Sequence, residues 1–481
     1  MRTQSRQRQS IFAGRRGRAC KEVLAAYLFL LPAVLLTFAF GLWPVIHAAY
    51  VSLHRWNIKP RGSTCLPYWL ASLGIGSPEA LRPTDCLGVA NYVKLLGLPS
   101  VASVAGLLLA ALFGFLAYRR WQDVGEGTAQ GRAVAWTLAA LVALALALPG
   151  LIASGEWTYL VSLGLLLVGW LLWHRAGHSA SLPELVGRLL AACALVAGAG
   201  VFFFVDFRRM WMVGDQDFFK SIIYTFFYSL GTVPVQLSVA LVLAYILFQG
   251  IKGQGLFRLL YFMPYIAPSV ATAVVFKRIF SLRETGLMNL IGSAIGLPAL
   301  KWLHESRPVN LVIVDLLNQL FGTHLSWPQI PDPLGVILAG PSLALVSIMI
   351  YNWWVFIGYD TVIYLAGLGN IPRDLYEAAE VDGANRWAIL RKITIPLLSP
   401  TTFFLTIIAT IGTFKAFNHI FVMKEAAARG TVDVASILIF QTFRAKGQFG
   451  EAAAMAFVLF GIILALSQIQ NRVGERMVFY G

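Results

Sequence analysis

Long apolar runs recur along this chain, each near the ~20 residues a helix needs to cross a bilayer, with polar segments between them. Ten runs are predicted as membrane-spanning helices, at 26–52, 101–118, 133–152, 157–173, 187–205, 221–248, 259–281, 336–359, 397–421 and 452–470. The barrel pattern, strands alternating apolar and polar residues over about ten positions, is absent from the sequence. In lipid every backbone polar group must be satisfied by the protein, so the expected fold class is an all-α integral membrane protein.

One polar segment departs from the rest. "YEAAEVDGANRWAILRKITIPLL", from Tyr376 to Leu398, is flanked by two apolar runs yet crowded with charge. Residues 373–392 carry Arg373, Asp374, Glu377, Glu380, Asp382, Arg386, Arg391 and Lys392. At ~2.5–3.5 kcal/mol per charge near the bilayer centre, inserting all of them would cost roughly 20–28 kcal/mol. The segment must therefore lie outside the membrane. Pro372 suits the first turn of a helix, and Asp374 and Glu377 favour its N-terminal half. Asp382-Gly383 reads as a turn, with Asp382 expected to cap a second short helix. Trp387, Leu390 and Ile393 form an apolar stripe at helical spacing, and Pro396 is expected to separate this helix from the next span. The prediction is a helix–turn–helix braced by spans at both ends. An amphipathic loop lying on lipid would explain the stripe, but neither the Glu377-Ala378-Ala379 start nor the glycine at its offset.

Composition sharpens the reading. The chain has 481 residues, 13% of them charged, and a formal net charge of +15. Its mean hydropathy of +0.70 excludes an ordinary soluble domain. In a soluble protein such a charge would suggest nucleic acid, but no basic face with interleaved aromatics lies on a soluble domain here. Membrane topology explains it instead. Arg2, Arg6, Arg8, Arg15, Arg16, Arg18 and Lys21 precede the first apolar run and place the N-terminus in the cytoplasm. The run from Val23 to Leu53 is too long for the ~7–15-residue core of a signal peptide, so it is expected to stay as an anchor. Ten spans then return the C-terminus to the cytoplasm.

Four cysteines, Cys20, Cys65, Cys86 and Cys193, show no CxxC spacing, so neither a metal nor a redox motif is expected. Cys65 and Cys86 share one external loop in this topology. There they are either a disulfide or two free thiols; closing a loop of about 20 residues would stabilise by roughly 3 kcal/mol. A second external region, Ser281 to Leu334, holds Trp302, Trp327 and an amphipathic helix, "NLVIVDLLNQLFG", suited to a membrane surface or a partner. No segment could form an independent enzyme domain, no catalytic residues are assigned, and no GxxxxGK[ST] phosphate loop occurs.

Glu377-Ala378-Ala379, three residues, Gly383, nine residues, then Ile393-Thr394-Ile395-Pro396 resembles the EAA loop of permease subunits in binding-protein-dependent ABC importers. The family pattern has Leu where this chain has Ile395. The extended form, with Asp382-Gly383-Ala384 and Trp387, resembles the carbohydrate-importing branch, the maltose and glycerol-phosphate type. "GVANYVKLL", "LFRLLYFMPYIAPSVATAVVFKRIF", "YLAGLGNIPRDLYEAAEVDGA" and "GTFKAFNHIFVM" are similar to further segments of that branch. The likeness covers about 24–98 and 215–472, whereas 99–214 has no recognised counterpart.

The resemblance implies an organisation. A basic cytoplasmic tail (1–22) leads to a first core helix and external loop (23–98). Then come an inserted four-helix membrane segment (99–214), a permease core (215–472) with its coupling loop at 371–396, and a cytoplasmic tail (473–481). Six spans make the core and four the insertion, which is expected to be a peripheral appendage touching lipid or another membrane protein. The resemblance also implies partners: a second permease with its own EAA loop, two copies of a cytoplasmic ATPase that hold ATP-Mg, and an extracytoplasmic solute-binding protein. No cofactor is expected on this chain. Glu377 and Gly383 match the family's docking acid and turn glycine. For Gly383 a side chain would either disfavour a turn needing positive φ or crowd the partner surface.

Polar residues within spans default to functional candidates. Asn352, in "YNWWVF", has aromatic neighbours suited to sugar rings, and Lys415 and Asn418, three apart, are expected on one helix face. These three are the candidate substrate path, against the alternative that they bond between helices or, for Lys415, snorkel. Asp360 is read as structural. The leading function is the transmembrane subunit of an ATP-driven carbohydrate importer working by alternating access. An ion-coupled secondary transporter would need paired intramembrane carboxylates or inverted repeats, and neither is clear. A sugar transferase would need clustered acids or a His/Asp site, and the seven His are scattered.

Overall fold

A computed structural model of the protein describes residues 26–54, 56, 90–96, 214–250, 252–322 and 334–477, with a few isolated positions. The tail 1–22, the insertion 99–214 apart from isolated positions, Cys65, Cys86 and Trp327 lie outside the described residues.

Among the described residues every regular element is a helix. Four helices are long and apolar enough to cross a membrane: α1 (Ala26–Ser52), then, after the short α2 (Ala90–Leu96), α3 (Gln216–Phe248), and further on α9 (Leu343–Gly369) and α15 (Phe449 to Gly474 within Phe449–Met477). Two bent pairs pass the same test: α4 (Gln254–Ile266) with α5 (Ser269–Ile279), and α11 (Arg386–Leu397) with α12 (Ser399–Phe414). These fall on the six spans predicted outside 99–214. Between α5 and α9 lie α6 (Leu287–Ala294), α7 (Val309–Phe321) and α8 (Leu334–Ala339). The remaining α-helices among these elements are α10 (Arg373–Val381), α13 (Asn418–Met423) and α14 (Ala435–Arg444), with short 3-10 turns at Trp302–His304 and Ala426–Ala428.

Two of the predicted spans are bent, which their apolar pattern did not specify. The run 259–281 breaks at Ala267-Pro268, and its halves meet at 96°. Pro268 lacks an N–H and pushes Ala267 into the extended region, φ −65° and ψ 141°, so α4 cannot continue. The run 397–421 bends by 61° at Leu398 and its helix then stops at Phe414. Pro396, expected to mark the boundary, lies inside α11. It is tolerated because Leu390–Thr394 adopts a π-turn, with Ile395 N–H bonded to the Leu390 carbonyl five residues back. Pro44 in α1 is accommodated the same way, by the π-turn Phe38–Leu42 and the bond from Trp43 N–H to the Phe38 carbonyl. In each case the wider register comes just before a ring that would clash with a regular helix.

The centre of the bundle is the α3–α9 pair, buried around Tyr228, Leu345, Ile348 and Tyr351. Asp215 Oδ1 caps α3 by accepting from Phe218 N at 3.1 Å, and Ser342 Oγ caps α9 by accepting from Leu345 N at 3.1 Å. Helices surrounded by lipid gain little from apolar burial, so close approach at small residues does the packing. At Gly358 a Cβ would stand 1.7 Å from the Tyr261 carbonyl oxygen, so α4 crosses α9 with its backbone against that glycine.

Segment 281–305 is tied by Asn289, whose Nδ2 donates to the carbonyls of Arg283 (3.1 Å) and Leu300 (3.2 Å). Its Oδ1 accepts from Leu300 N at 3.0 Å and Trp302 Nε1 at 2.7 Å. The predicted helix in "NLVIVDLLNQLFG" forms as α7 and ends at Gly322, φ +62°. Nearby, Arg307 grips Glu305 at 3.2 Å and also Asp315. Burial alone would raise the Glu305 carboxyl, but the hydrogen bonds and charge of Arg307 hold it below its ordinary range.

Candidate functional site

α10 and α11 form the predicted helix pair, at the far end of α9 from Ser342. α10 ends in a Schellman turn: Gly383 N–H bonds the Glu380 carbonyl at 3.0 Å and Ala384 N–H the Ala379 carbonyl at 2.9 Å. Gly383 has φ +77°, a region L side chains rarely adopt, and a Cβ there would meet nothing within 4 Å. Within this chain the glycine is required by backbone conformation and not by crowding. Asp382, expected to cap the second helix, instead closes the first, and Asn385 caps α11 with Oδ1 accepting from Ala388 N at 2.8 Å. Asn385 holds the cap because Gly383 and Ala384 are consumed by the turn.

The pair is anchored on one side and open on the other. Tyr376 packs against the cluster of Leu368, Ile371 and Leu398, and its Oη lies 3.4 Å from Oγ1 of buried Thr394 on α11. Ala379, Ala384 and Ile393 are half-buried, as is Pro396, whereas Glu377, Ala378, Asp382 and Gly383 are exposed. Trp387, the first residue of the predicted stripe, is not packed inward. It is 67% exposed, and Val381 at the tip of α10 is 88% exposed. Two large apolar side chains thus stand in the open beside the Glu377-Ala378-Ala379 surface.

Across the bundle, the three candidate path residues separate. Asn352 is buried and committed on both sides: Nδ2 donates to Gln236 Oε1 at 3.0 Å, and Oδ1 accepts from Tyr228 Oη at 3.0 Å. With its proton so used, the Tyr228 oxygen is left to accept from His419 Nε2, 2.7 Å away. His419 also stacks on Tyr351, with ring centroids 5.3 Å apart. The sequence reading missed Tyr228, Gln236 and His419. Tyr228 and Gln236 stand about two turns apart in one apolar run, the signal that could have paired them.

Lys415 and Asn418 do not share a helix face as expected. α12 ends at Phe414, residues 415–417 are irregular, and Asn418 begins α13. Both side chains are exposed, and Lys415 lines a cleft of about 770 Å³ walled by Trp56, Phe417, Phe440, Phe443 and Phe449. Asp360 is buried in α9, and its Oδ2 has no hydrogen-bond partner among the described residues. No group of three or more His, Cys, Asp or Glu able to hold a metal occurs among the described residues.

A bent-helix membrane bundle carrying an exposed EAA helix pair defines an ABC-transporter permease subunit. Residues 216–479, 264 of the chain's 481, match the family described as binding-protein-dependent transport system inner membrane component, and the chain belongs to that family. It is 31% identical over 266 residues to the lactose transport system permease protein LacF of Rhizobium radiobacter, covering 54% of this chain and 77% of LacF. It is 27% identical to the trehalose/maltose transport system permease protein MalF of Thermococcus litoralis, over 56% of this chain and 80% of MalF. The sn-glycerol-3-phosphate transport system permease protein UgpA of Agrobacterium fabrum is also 27% identical, over the same shares.

Proposed function

We propose that this chain is one of two permease subunits of a carbohydrate importer in the cytoplasmic membrane, powered by a separate pair of ATPase subunits. The observation that carries the reading is the helix pair at 373–397: rigidly anchored through Tyr376 and Leu398, yet with Val381 and Trp387 uncovered. Exposed large apolar side chains beside a small-residue surface are what a docking element offers a protein partner. Glu377, Ala378, Ala379, Asp382, Gly383, Ala384, Trp387, Ile393 and Pro396 form the coupling element. Ligand-dependent closure of the ATPases would move it as a unit, because a capped, Schellman-closed pair transmits displacement without bending.

In this reading the chain makes ten spans, six core and four inserted, with both termini cytoplasmic and the Asn289 knot outside. The sugar-transport names of LacF and MalF support a carbohydrate cargo. The path runs by Lys415 and Asn418. Asn352 acts as a positioning residue, because its bond to Tyr228 fixes His419 and with it the start of α13. A secreted binding protein delivers the cargo, and the loaded binding protein and ATP select the two access states.

The test is copurification. A tagged chain expressed with its neighbouring genes should bring down a P-loop ATPase and a second permease, and the binding protein loaded with sugar should stimulate ATP hydrolysis. Sugar transport by the chain alone, with no ATPase attached, would sink the reading.

A further inference from the structure

The cleft beside Lys415 has a chemistry that the importer reading does not specify. Part of its wall is aromatic, with Phe417 and Phe440 meeting at 4.9 Å and Phe443 and Phe449 at 4.8 Å, both edge to face, while α15 beyond Phe449 lines it with Ala452, Ala453, Ala456 and Leu459. Trp56 closes the rim, where its carbonyl accepts from Phe449 N at 2.8 Å. The α15 wall runs from Phe449 to Leu459, about 15 Å along the helix. Phe414 packs against Leu459, which puts Lys415 level with the inner end of that wall and Trp56 at the mouth. The mouth opens at the end of the bundle opposite the α10–α11 pair, since α12 rises about 24 Å between Ser399 and Lys415.

Lys415 is therefore an exposed cation at the inner end of a partly aromatic cleft. Three lysines in this part of the molecule are paired: Lys94 with Glu451 at 2.7 Å, Lys277 with Glu425 at 3.0 Å, and Lys424 with Asp433 at 2.7 Å, whereas Arg444 and Lys446, which lie between Phe443 and Phe449, form no ion pair among the described residues. The Lys415 ammonium has no carboxylate among the described residues, and neither Asp nor Glu lines the cleft. A lysine at membrane depth ordinarily has a counter-charge. A phospholipid would supply its phosphate at the headgroup level, near Trp56, and not at the inner end. A water-borne solute with flat apolar ring faces and one negative group fits both the aromatic part of the wall and the inner end.

We propose that the cleft admits a sugar carrying a carboxylate or a phosphate, with Lys415 as the contact that selects for that charge. The inference rests on the importer reading and narrows its cargo.

The test uses cells carrying the complete importer and radiolabelled digalacturonate, glucuronate and a hexose phosphate, with lactose and maltose as neutral comparisons. At least one charged sugar should accumulate, and the neutral ones should not. Lys415→Met should cut that uptake roughly tenfold or more, and Lys415→Arg should largely preserve it. Uptake confined to neutral sugars, no uptake of any charged sugar, or charged uptake indifferent to Lys415→Met overturns the proposal. So does loss of the second permease from purified Lys415→Met complexes, because the counter-charge would then belong to that subunit. Copurification of the ATPase with wild type separates the two readings. If it persists while only neutral sugars enter, the charge inference alone falls.

Discussion

Gly383 gives the sharpest test of why the coupling turn has its sequence. The expected defect of Gly383→Ala comes from forcing an L residue to φ +77°, which costs about 1–2 kcal/mol. That is a factor of roughly 5–30 in the population of the closed turn. Opening the turn releases the Gly383–Glu380 and Ala384–Ala379 bonds, 3.0 and 2.9 Å long, and frees α11 from its angle to α10. No steric term adds to this within the chain, since the new methyl would meet nothing within 4 Å. Asn tolerates the left-handed region better than Ala although it is larger. Gly383→Asn should therefore retain more activity than Gly383→Ala. The assay is sugar-stimulated ATP hydrolysis by the reconstituted complex, with thermal unfolding of each variant run beside it. If Asn is as damaging as Ala or worse while both proteins stay folded, the partner's surface and not the backbone dictates this glycine, and the reasoning is refuted.

Further outcomes are expected elsewhere. Gly358→Ala places a methyl 1.7 Å from a backbone oxygen of α4, which no rotamer change relieves, so it should sharply lower the yield of folded protein on size-exclusion chromatography. Val381→Ser and Trp387→Ala remove exposed side chains, so unfolding should shift by no more than about 0.5 kcal/mol, while ATPase copurification falls. The Glu305 carboxyl is held below its ordinary 4.5, so its ion pair contributes fully above that pH. The contribution is lost as the pH falls through the lowered value, and protease cleavage near Arg307 should rise there. Glu305→Gln should flatten that rise.

What could be read from the residues, and what could not, divides along the range of the forces involved. Charge transfer into lipid and helix length are properties of short stretches. They alone argue for 373–392 lying outside the membrane, pick out the four long apolar helices and two bent pairs among the described residues, and mark Gly383 as the turn. The Asn385 cap was within reach too, but the choice between it and Asp382 depends on which residues the Schellman turn consumes. The 96° bend at Pro268 was only half legible: proline says that α4 must stop, not where α5 then goes. Asn352 looked like a lining residue because its partners, Tyr228 and Gln236, lie more than a hundred positions away on α3. Lys415 was visible as a charge in an apolar run, but the sequence put it on a helix face with Asn418. Only the end of α12 at Phe414 and the packing of α14 and α15 turn it into a partly aromatic cleft without a counter-charge. Local energies fix which segments are helical and which must stay wet, whereas the angle between helices is set by contacts that the one-dimensional order of residues does not record.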